Sequence, residues 1–345
     1  MPPINTTQTI THRTNGYMIG RFLREGQMRK MVFERFGQVD VLPKNESHTV
    51  SWRRINNLGI SKAKAALVEG VTPSGTKVTY EDITGVTEQI GDWIPLTDVL
   101  MDISDSNKSK KLINELMYAL GKQAAEVKEE RRADVLRAGS NVFYAGGTVT
   151  TRATVAAKVT KGDFRRVERS FSRNRVDKIT KMISASPNYG TTAIEEGYVA
   201  VFHPDITPTM RDIPGFVLAK DYGHDGPRLP GEVGAIEGFR CCEADVVKPW
   251  TASGSSGATT FLSGGDKSTG SNAYDVYPII CFGANAYGIV PLQGAENVNI
   301  LVNNPSAGKG NELAQEGSIG WKTWDLTARL NEVNMARIEV CAEAL

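Results

Sequence analysis

The chain is poor in the residues that do chemistry. Its 345 residues include four histidines, His12, His48, His203 and His224, which stand singly and share no H-E-x-x-H or comparable metal spacing. The four cysteines, Cys241, Cys242, Cys281 and Cys341, make no C-x-x-C pair and have no histidine at ligand spacing. They read as small buried thiols of a reducing compartment, Cys241 and Cys242 pointing to opposite faces of a strand. G-x-S-x-G, the P-loop and G-x-G-x-x-G are all missing, and "SAGKGN" (306–311) has a Gly-Lys pair with neither the upstream Gly nor the following Ser or Thr. No apolar run approaches the ~18 residues of a membrane-spanning helix. The N-terminus lacks the basic stretch and apolar core of a secretion signal. Forty Lys and Arg face thirty-nine Asp and Glu, so the charge of +1 offers no broad attraction to nucleic acid or anionic lipid. These absences predict no cofactor, no metal and no membrane contact.

What is present is architecture. Residues 1–47 read as an arm, with a segment "YMIGRFLREGQMRKMVFERFG" broken by Gly20, Gly26 and Gly37. Its Arg21, Arg24 and Arg29 could meet phosphates, although a solvated or partner-facing helix face is the plainer reading. "HTVSWRRI" (48–55) alternates as a strand covered on one side. After a polar stretch, Pro73, Ser74 and Gly75 predict a turn before extended chain resumes at Thr76. A long hairpin polar on both sides builds no core alone and must lie on another body, such as a second subunit.

From Ser106 to Ala138 the period becomes helical. Leu112, Leu116, Leu120, Ala124, Val127, Val135 and Ala138 share one stripe, with Asp105, Ser106 or Asn107 as cap and Gly139 as stop. Arg131 falls on that stripe, and the charged "KEERR" (128–132) predicts a rod only partly buried in its later half. A second helix is expected over 161–183, burying Phe164, Val167, Phe171 and Ile179, its basic part 161–181 rimmed by arginines. Such a helix invites a nucleic-acid role, but a solvated or intersubunit face is the default. Short strands follow at "YVAVF", "EGFRCCEAD", "VYPIICFG" and "YGIVPL". Between the second and third of these, fifteen of the 22 residues 251–272 are Gly, Ser or Thr, a composition that predicts an exposed excursion. Ile319 and Trp321, then Ile338 and Val340, around a turn at Asn331–Asn334, predict a closing antiparallel hairpin.

"YVAVFHPDITPTMRD" (198–212) is the one stretch that resembles a catalytic constellation. A hydrolase-type use of His203 and Asp205 would need a nucleophile, a group orienting the imidazole and donors for developing charge. The structural reading needs nothing more: Pro204 keeps His203 extended, and Asp205 suits a helix N-terminus. Thr207 and Pro208 are expected to cap and open the helix itself. His203, Pro204 and Asp205 are assigned to a strand-to-helix junction.

Five segments in order, "LVEGVTPSG" (67–75), "LRAGSNVFYAGG" (136–147), "YVAVFHPDI" (198–206), "GANAYGIVPLQG" (283–294) and "GWKTW" with "LNEVNMARIE" (320–339), resemble the N-four-like family of tailed-phage major capsid proteins. The resemblance runs from about Val50 to the end and implies an α+β chain of the Hong Kong 97-type capsid fold. It implies an arm (1–47), an extended β-hairpin loop (48–98), a peripheral domain (99–195) with a spine helix (106–138), an axial domain (196–291), and a return to the peripheral domain through a C-terminal β-hairpin (292–345). It carries no catalytic residue. It implies self-assembly into hexamers and pentamers of an icosahedral shell in the virion, formed in the host bacterial cytoplasm, with packaged double-stranded DNA contacted weakly and non-specifically. Scaffold, decoration and portal proteins are further partners it admits. Lys62, Lys64, Gly70, Pro73, Gly75 and Lys77, with Arg21, Arg24 and Arg29, become the candidate intersubunit residues. No motif supports a crosslink at Lys62, Lys64 or Lys77.

Overall fold

The computed structural model describes residues 31–45, 47–55, 58, 66–67, 69–72, 75–103, 109–183, 193–222, 229–257, 261–263, 273–292, 298–308 and 310–344. The expectations at Arg21, Arg24, Arg29, Lys62, Lys64 and Pro73 lie outside these residues, as does most of the second half of the Gly/Ser/Thr excursion.

Fifteen strands and four α-helices are described. In chain order they are β1 (Gln38–Val39), β2 (Thr49–Ile55), β3 (Tyr80–Val86), β4 (Glu88–Thr97), α1 (Asp98–Ile103), α2 (Ser109–Arg137), β5 (Val142–Tyr144), α3 (Lys161–Arg173), β6 (Tyr198–Phe202), α4 (Thr207–Arg211), β7 (Val217–Leu218), β8 (Glu232–Ile236), β9 (Phe239–Glu243), β10 (Val276–Phe282), β11 (Tyr287–Ile289), β12 (Asn299–Asn303), β13 (Glu316–Asp325), β14 (Thr327–Arg329) and β15 (Met335–Cys341).

The main sheet has the order β5-β15-β10-β6-β9-β8-β7, mixed parallel and antiparallel. Every residue of β6, β10 and β15 is buried, because both faces are covered. Tyr198, Ala200 and Phe202 meet Phe164, Val167 and Phe171 of α3 on one face. Val199 and Val201 point the other way, toward Ala133 and Leu136 of α2 and Val32 and Phe33 of the arm. Cys241 and Cys242 divide between these two faces as their alternation requires.

A second sheet, β12-β13-β4, carries the first half of α2, with Leu120 and Ala124 packed on Leu96, Ile319 and Trp321. The β2–β3 hairpin springs from β4 through Thr87, which is buried and donates its N–H to the His48 carbonyl at 2.8 Å. Trp52 at the hairpin base donates from its indole to Asp40 at 3.1 Å and covers Gly288, where a Cβ would come within 3.1 Å of its ring.

Three expectations need correction. The closing strands do not form a hairpin: β13 pairs with β4 over ten positions, while β15 enters the main sheet between β5 and β10. Between them β14 pairs with β11 in a third sheet, β1-β11-β14, and the 3-10 turn at Glu332–Asn334 leads from there into β15. The basic helix ends at Arg173 and not near Ile183, where the chain turns through a left-handed Arg175. Finally, the later half of the 29-residue α2 is not loosely covered. Lys128, Glu129, Arg132, Ala133 and Leu136 are buried while Arg131 and Ala138 are exposed, because the helix passes from one sheet to the other and its covered side rotates by about one residue.

Candidate functional site

The His203 junction is built by a buried strand, β6, running into a proline. His203 is extended at φ −72°, ψ 148°, and its Nδ1 accepts the Asp205 backbone N–H at 3.3 Å. Pro204 starts a short 3-10 turn that leads into α4, whose first two residues are Thr207 and Pro208, one step earlier than a Thr207 cap. Asp205 accepts from the Tyr277 hydroxyl at 2.8 Å, and the His203 and Tyr277 rings lie 5.5 Å apart. Burial pushes the His203 pKa down, against the pull of Asp205, Asp245 and Glu243. The same Nδ1 lies 3.2 Å from the Asp205 carboxylate, so the imidazole is held by both the backbone and the side chain of Asp205. This arrangement caps a turn. The neighbouring hydroxyl of Thr207 donates to Glu243 at 2.9 Å and so is not paired with the imidazole.

The hairpin has a different character. All described residues from Arg53 to Asp82 are exposed, Gly70, Gly75 and Lys77 among them. Arg53 and Asp82 are paired in register and share a two-pronged ion pair at 2.7 and 2.8 Å, and on the opposite face Arg54 donates from two nitrogens to one oxygen of Glu81 at 3.0 and 2.6 Å. Both faces of the ribbon are therefore polar near its base. Further out, Ile55, Leu58, Leu67, Val71, Val78 and Tyr80 are exposed apolar side chains. Gly70, at φ 79°, holds a left-handed turn that other residues resist.

On the sheet β12-β13-β4, the face away from α2 is also open. Trp93 and Leu301 flank Gly320 in one cross-strand row and are 52% and 46% exposed. They border a groove of about 410 Å³ with Gln89, Gly91, Asn303 and Lys322.

The feature that sequence reasoning missed is a clasp on the arm. The Glu129 carboxylate is wholly buried and accepts the backbone N–H groups of Val32 at 2.5 Å and Phe33 at 2.6 Å. Tyr287 donates to the Phe33 carbonyl at 2.5 Å. Arg132 lies 3.6 Å from Glu129, 3.7 Å from Glu34 and 3.8 Å from Asp325. Burial pushes the Glu129 carboxyl up, offset in part by Phe33, Val32 and Arg132. The one signal in the sequence was the acid-base density of 128–132, which looks the same whether it faces water or a partner segment.

Of the basic helix, Lys161 and Arg165 share Glu237 at 2.9 and 3.3 Å, and Arg166 pairs with Asp163. The remaining cations face outward. Among the described residues no group of three or more His, Cys, Asp or Glu is arranged to hold a metal.

Compared with known proteins, residues 80–321 match the family model described as phage capsid protein. Over 254 residues the chain is 24% identical to the major capsid protein of Pseudomonas phage KPP21, a match covering 69% of this chain and 62% of that one, so the chain spans less than two thirds of that relative's length. Among solved structures, the capsid of cyanophage Pam1 matches with a TM-score of 0.61 at 13% identity, covering 99% of each chain. The head of Helicobacter pylori bacteriophage KHP40 matches at 0.61 and 11%, covering 99% of this chain and 98% of that one. The capsid of Ralstonia phage GP4 matches at 0.59 and 12%, over 95% and 96%. At these identities the structural likeness speaks to the fold.

Proposed function

We propose that this chain, which belongs to the phage capsid protein family, is the major capsid protein of a tailed bacteriophage and assembles with its own copies into the hexamers and pentamers of an icosahedral shell around double-stranded DNA. Its α+β fold is the Hong Kong 97-type capsid fold. The observation that carries the proposal is the hairpin, whose described residues from Arg53 to Asp82 are all exposed and include the apolar side chains of Ile55, Leu58, Leu67, Val71 and Val78. A monomer has no use for such a ribbon, whereas a shell gains buried area from it without enlarging any core. Many modest contacts, each repeated around a ring, add up to a rigid surface.

In this reading the β2–β3 ribbon is the extended loop, α2 is the spine of the peripheral part and the seven-stranded sheet is the axial part. Gly70, Gly75 and Lys77, with Lys62, Lys64 and Pro73 in the same loop and Arg21, Arg24 and Arg29 in the arm, are assigned to contacts between copies. The Trp93–Leu301 row is the receiving face. His203, Pro204 and Asp205 serve the fold and do no chemistry. Assembly takes place in the host bacterial cytoplasm, with scaffold, decoration and portal proteins as accessory partners.

Electron microscopy of the purified chain and its assembly products tests the proposal. Rings of five and six or closed shells, with the ribbon crossing to an adjacent copy, are expected. A species that stays monomeric at every concentration and salt, with its ribbon folded down on itself, removes the reading.

A further inference from the structure

We propose that the outward face of α3, continued through the loop to Lys181, is a docking surface for the phosphate backbone of duplex DNA. The proposal rests on the shell reading for the source of that DNA. Phe164, Val167 and Phe171 are buried against the main sheet, which fixes the rotation of the helix and turns Arg165, Arg169 and Arg173 outward as one row with four-residue spacing. Each step of that row spans about 6 Å. Like charges at this spacing disfavour a helix, so the row is held against local preference.

Half of the cations of 161–181 are already neutralised. Lys161 and Arg165 share Glu237, Arg166 has Asp163, and Lys178 lies 4.0 Å from Glu196. Among the described residues Arg169, Arg173, Arg175 and Lys181 have no acidic partner, and all four are exposed. Residues 161–181 hold eight Lys and Arg against three acids, a surplus of five, while the whole chain has a surplus of one, so the rest of the molecule is net acidic by four. Positive charge is concentrated here.

The helix ends with the Val176 N–H donating to the Phe171 carbonyl at 3.0 Å and the Arg175 N–H to the Ser172 carbonyl at 3.2 Å, which puts Arg175 at the left-handed closing position with φ 56°. Glycine is the residue that position favours. A cation is kept there at the expense of backbone strain, as alanine is at Ala252 and Ala314.

An acidic face on a sister copy is the competing occupant. Acids of the ribbon and spine helix such as Glu81, Asp82, Glu88, Glu130 and Asp134 are already paired with cations of their own chain, which leaves the exposed Glu69 of the ribbon as the acid there still open to a sister copy. A guanidinium-rich row of this kind matches phosphate oxygens, which accept its planar donors in pairs.

The test compares the full-length chain with Arg169→Ala/Arg173→Ala/Arg175→Gly/Lys181→Ala, titrating a short DNA duplex at several salt concentrations by fluorescence anisotropy. The slope of log affinity against log salt should fall in magnitude by about 3 to 4 in the variant, at ~0.9 for each phosphate no longer neutralised. Shells should still form. An unchanged slope overturns the proposal, and so does a variant that binds DNA normally but no longer assembles, which would make this face a contact between copies. Arg175→Gly alone guards against misfolding of the multiple variant: its slope should fall by about 1 while its unfolding temperature rises. A normal slope in that variant overturns the role of Arg175. Absence of shells from the unaltered chain would count against the capsid reading and leave the DNA titration standing on its own.

Discussion

Glu129→Ala should free the arm without unfolding the subunit. Two backbone N–H groups, of Val32 and Phe33, lose a charged acceptor, and each such bond contributes about 1.5 to 3 kcal/mol. Arg132, 2% exposed, also loses its nearest anion, leaving only the more distant Glu34 and Asp325. Against these losses stands the desolvation of a carboxylate that burial has pushed up and whose Oε2 finds no donor. Breaking one member of a buried charged set costs about 3 to 5 kcal/mol. Taking the low end, about 3 kcal/mol, protection of the Val32 and Phe33 amides against hydrogen exchange falls by roughly 150-fold. Glu129→Gln, which keeps an acceptor oxygen, should lose only about 1 kcal/mol. The pH dependence has a definite sign. Burial raises both Glu129 and Asp325, and a carboxyl raised in the fold contributes stability that is complete below its unfolded pKa and is lost as pH rises through the folded value. Arg132, Lys128, Glu34 and the Tyr287 hydroxyl are the other charged or titratable groups around the clasp. Once corrected for intrinsic exchange, protection at Val32 and Phe33 should therefore be greater near about pH 5 than near about pH 8, and the difference should shrink in Glu129→Gln. Protection that grows with pH, or that survives Glu129→Ala, refutes the clasp.

The other predictions are shorter. His203→Ala should cost about 0.5 to 2 kcal/mol as a lost cap, measured by urea unfolding; since burial lowers His203, its contribution is present above its unfolded pKa and lost as pH falls through the folded one, so the variant should lack part of the wild-type acid sensitivity. Gly197→Ala places a Cβ 2.1 Å from the Gly238 carbonyl oxygen, between β6 and the β8–β9 turn, and should destabilise by about 1 to 3 kcal/mol in the same assay. Arg175→Gly should stabilise by about 0.5 to 1 kcal/mol, read as a higher unfolding temperature. Trp93→Lys, on an exposed row, should leave unfolding within about 0.5 kcal/mol of the parent while shell yield drops by electron microscopy.

Some elements were legible because one physical signal fixed each. The 3.6-residue period writes α3 into the sequence, and Phe164, Val167 and Phe171 are buried as their spacing requires, while Ile179, expected on the same helix, lies beyond its end and is half-buried. The continuous apolar run of β6 reads as a strand covered on both faces, and so it is. The first strand of the ribbon was legible through alternation, Val50 and Trp52 being half-buried between exposed neighbours. What failed was partner choice. Ile319 and Trp321 alternate like Ile338 and Val340, and alternation says which face is buried but not against which strand, so β13 and β15 looked like neighbours although they serve different sheets. The capping role of His203 was legible from Pro204 and Asp205 together, whereas its contact with Tyr277, 74 residues on, depends on β6 and β10 pairing and left no local mark. The Glu129 clasp failed for the same reason: its donors are backbone groups of a segment 96 and 97 residues away, and a backbone N–H has no letter in the sequence.

Buried charge in this molecule sits where remote segments must meet in one orientation. Glu129 and Arg132 join the spine helix to the arm. Arg337 of β15 donates to the Gly139 carbonyl at the end of α2 at 3.0 Å and to Glu339 at 2.9 Å. Arg152 meets the same Glu339 at 2.8 Å and lies 3.6 Å over the Trp250 ring. Apolar packing would hold these segments at least as firmly, since a buried ion pair rarely outperforms a well-packed hydrophobic replacement in stability. Charged pairs differ in being directional: each is satisfied in one register and penalised in others. For a subunit whose copies must present the same ribbon and the same receiving face at every position of a shell, a fixed body with an open ribbon is the required division of labour. Replacing Arg152, Arg337 and Glu339 together by apolar residues of similar volume, so that no charge is left unpaired, should therefore leave the unfolding free energy within about 1 to 2 kcal/mol of the parent, yet broaden the distribution of assembly products seen by electron microscopy. Shells as uniform as those of the parent would show that the buried charges do not set geometry.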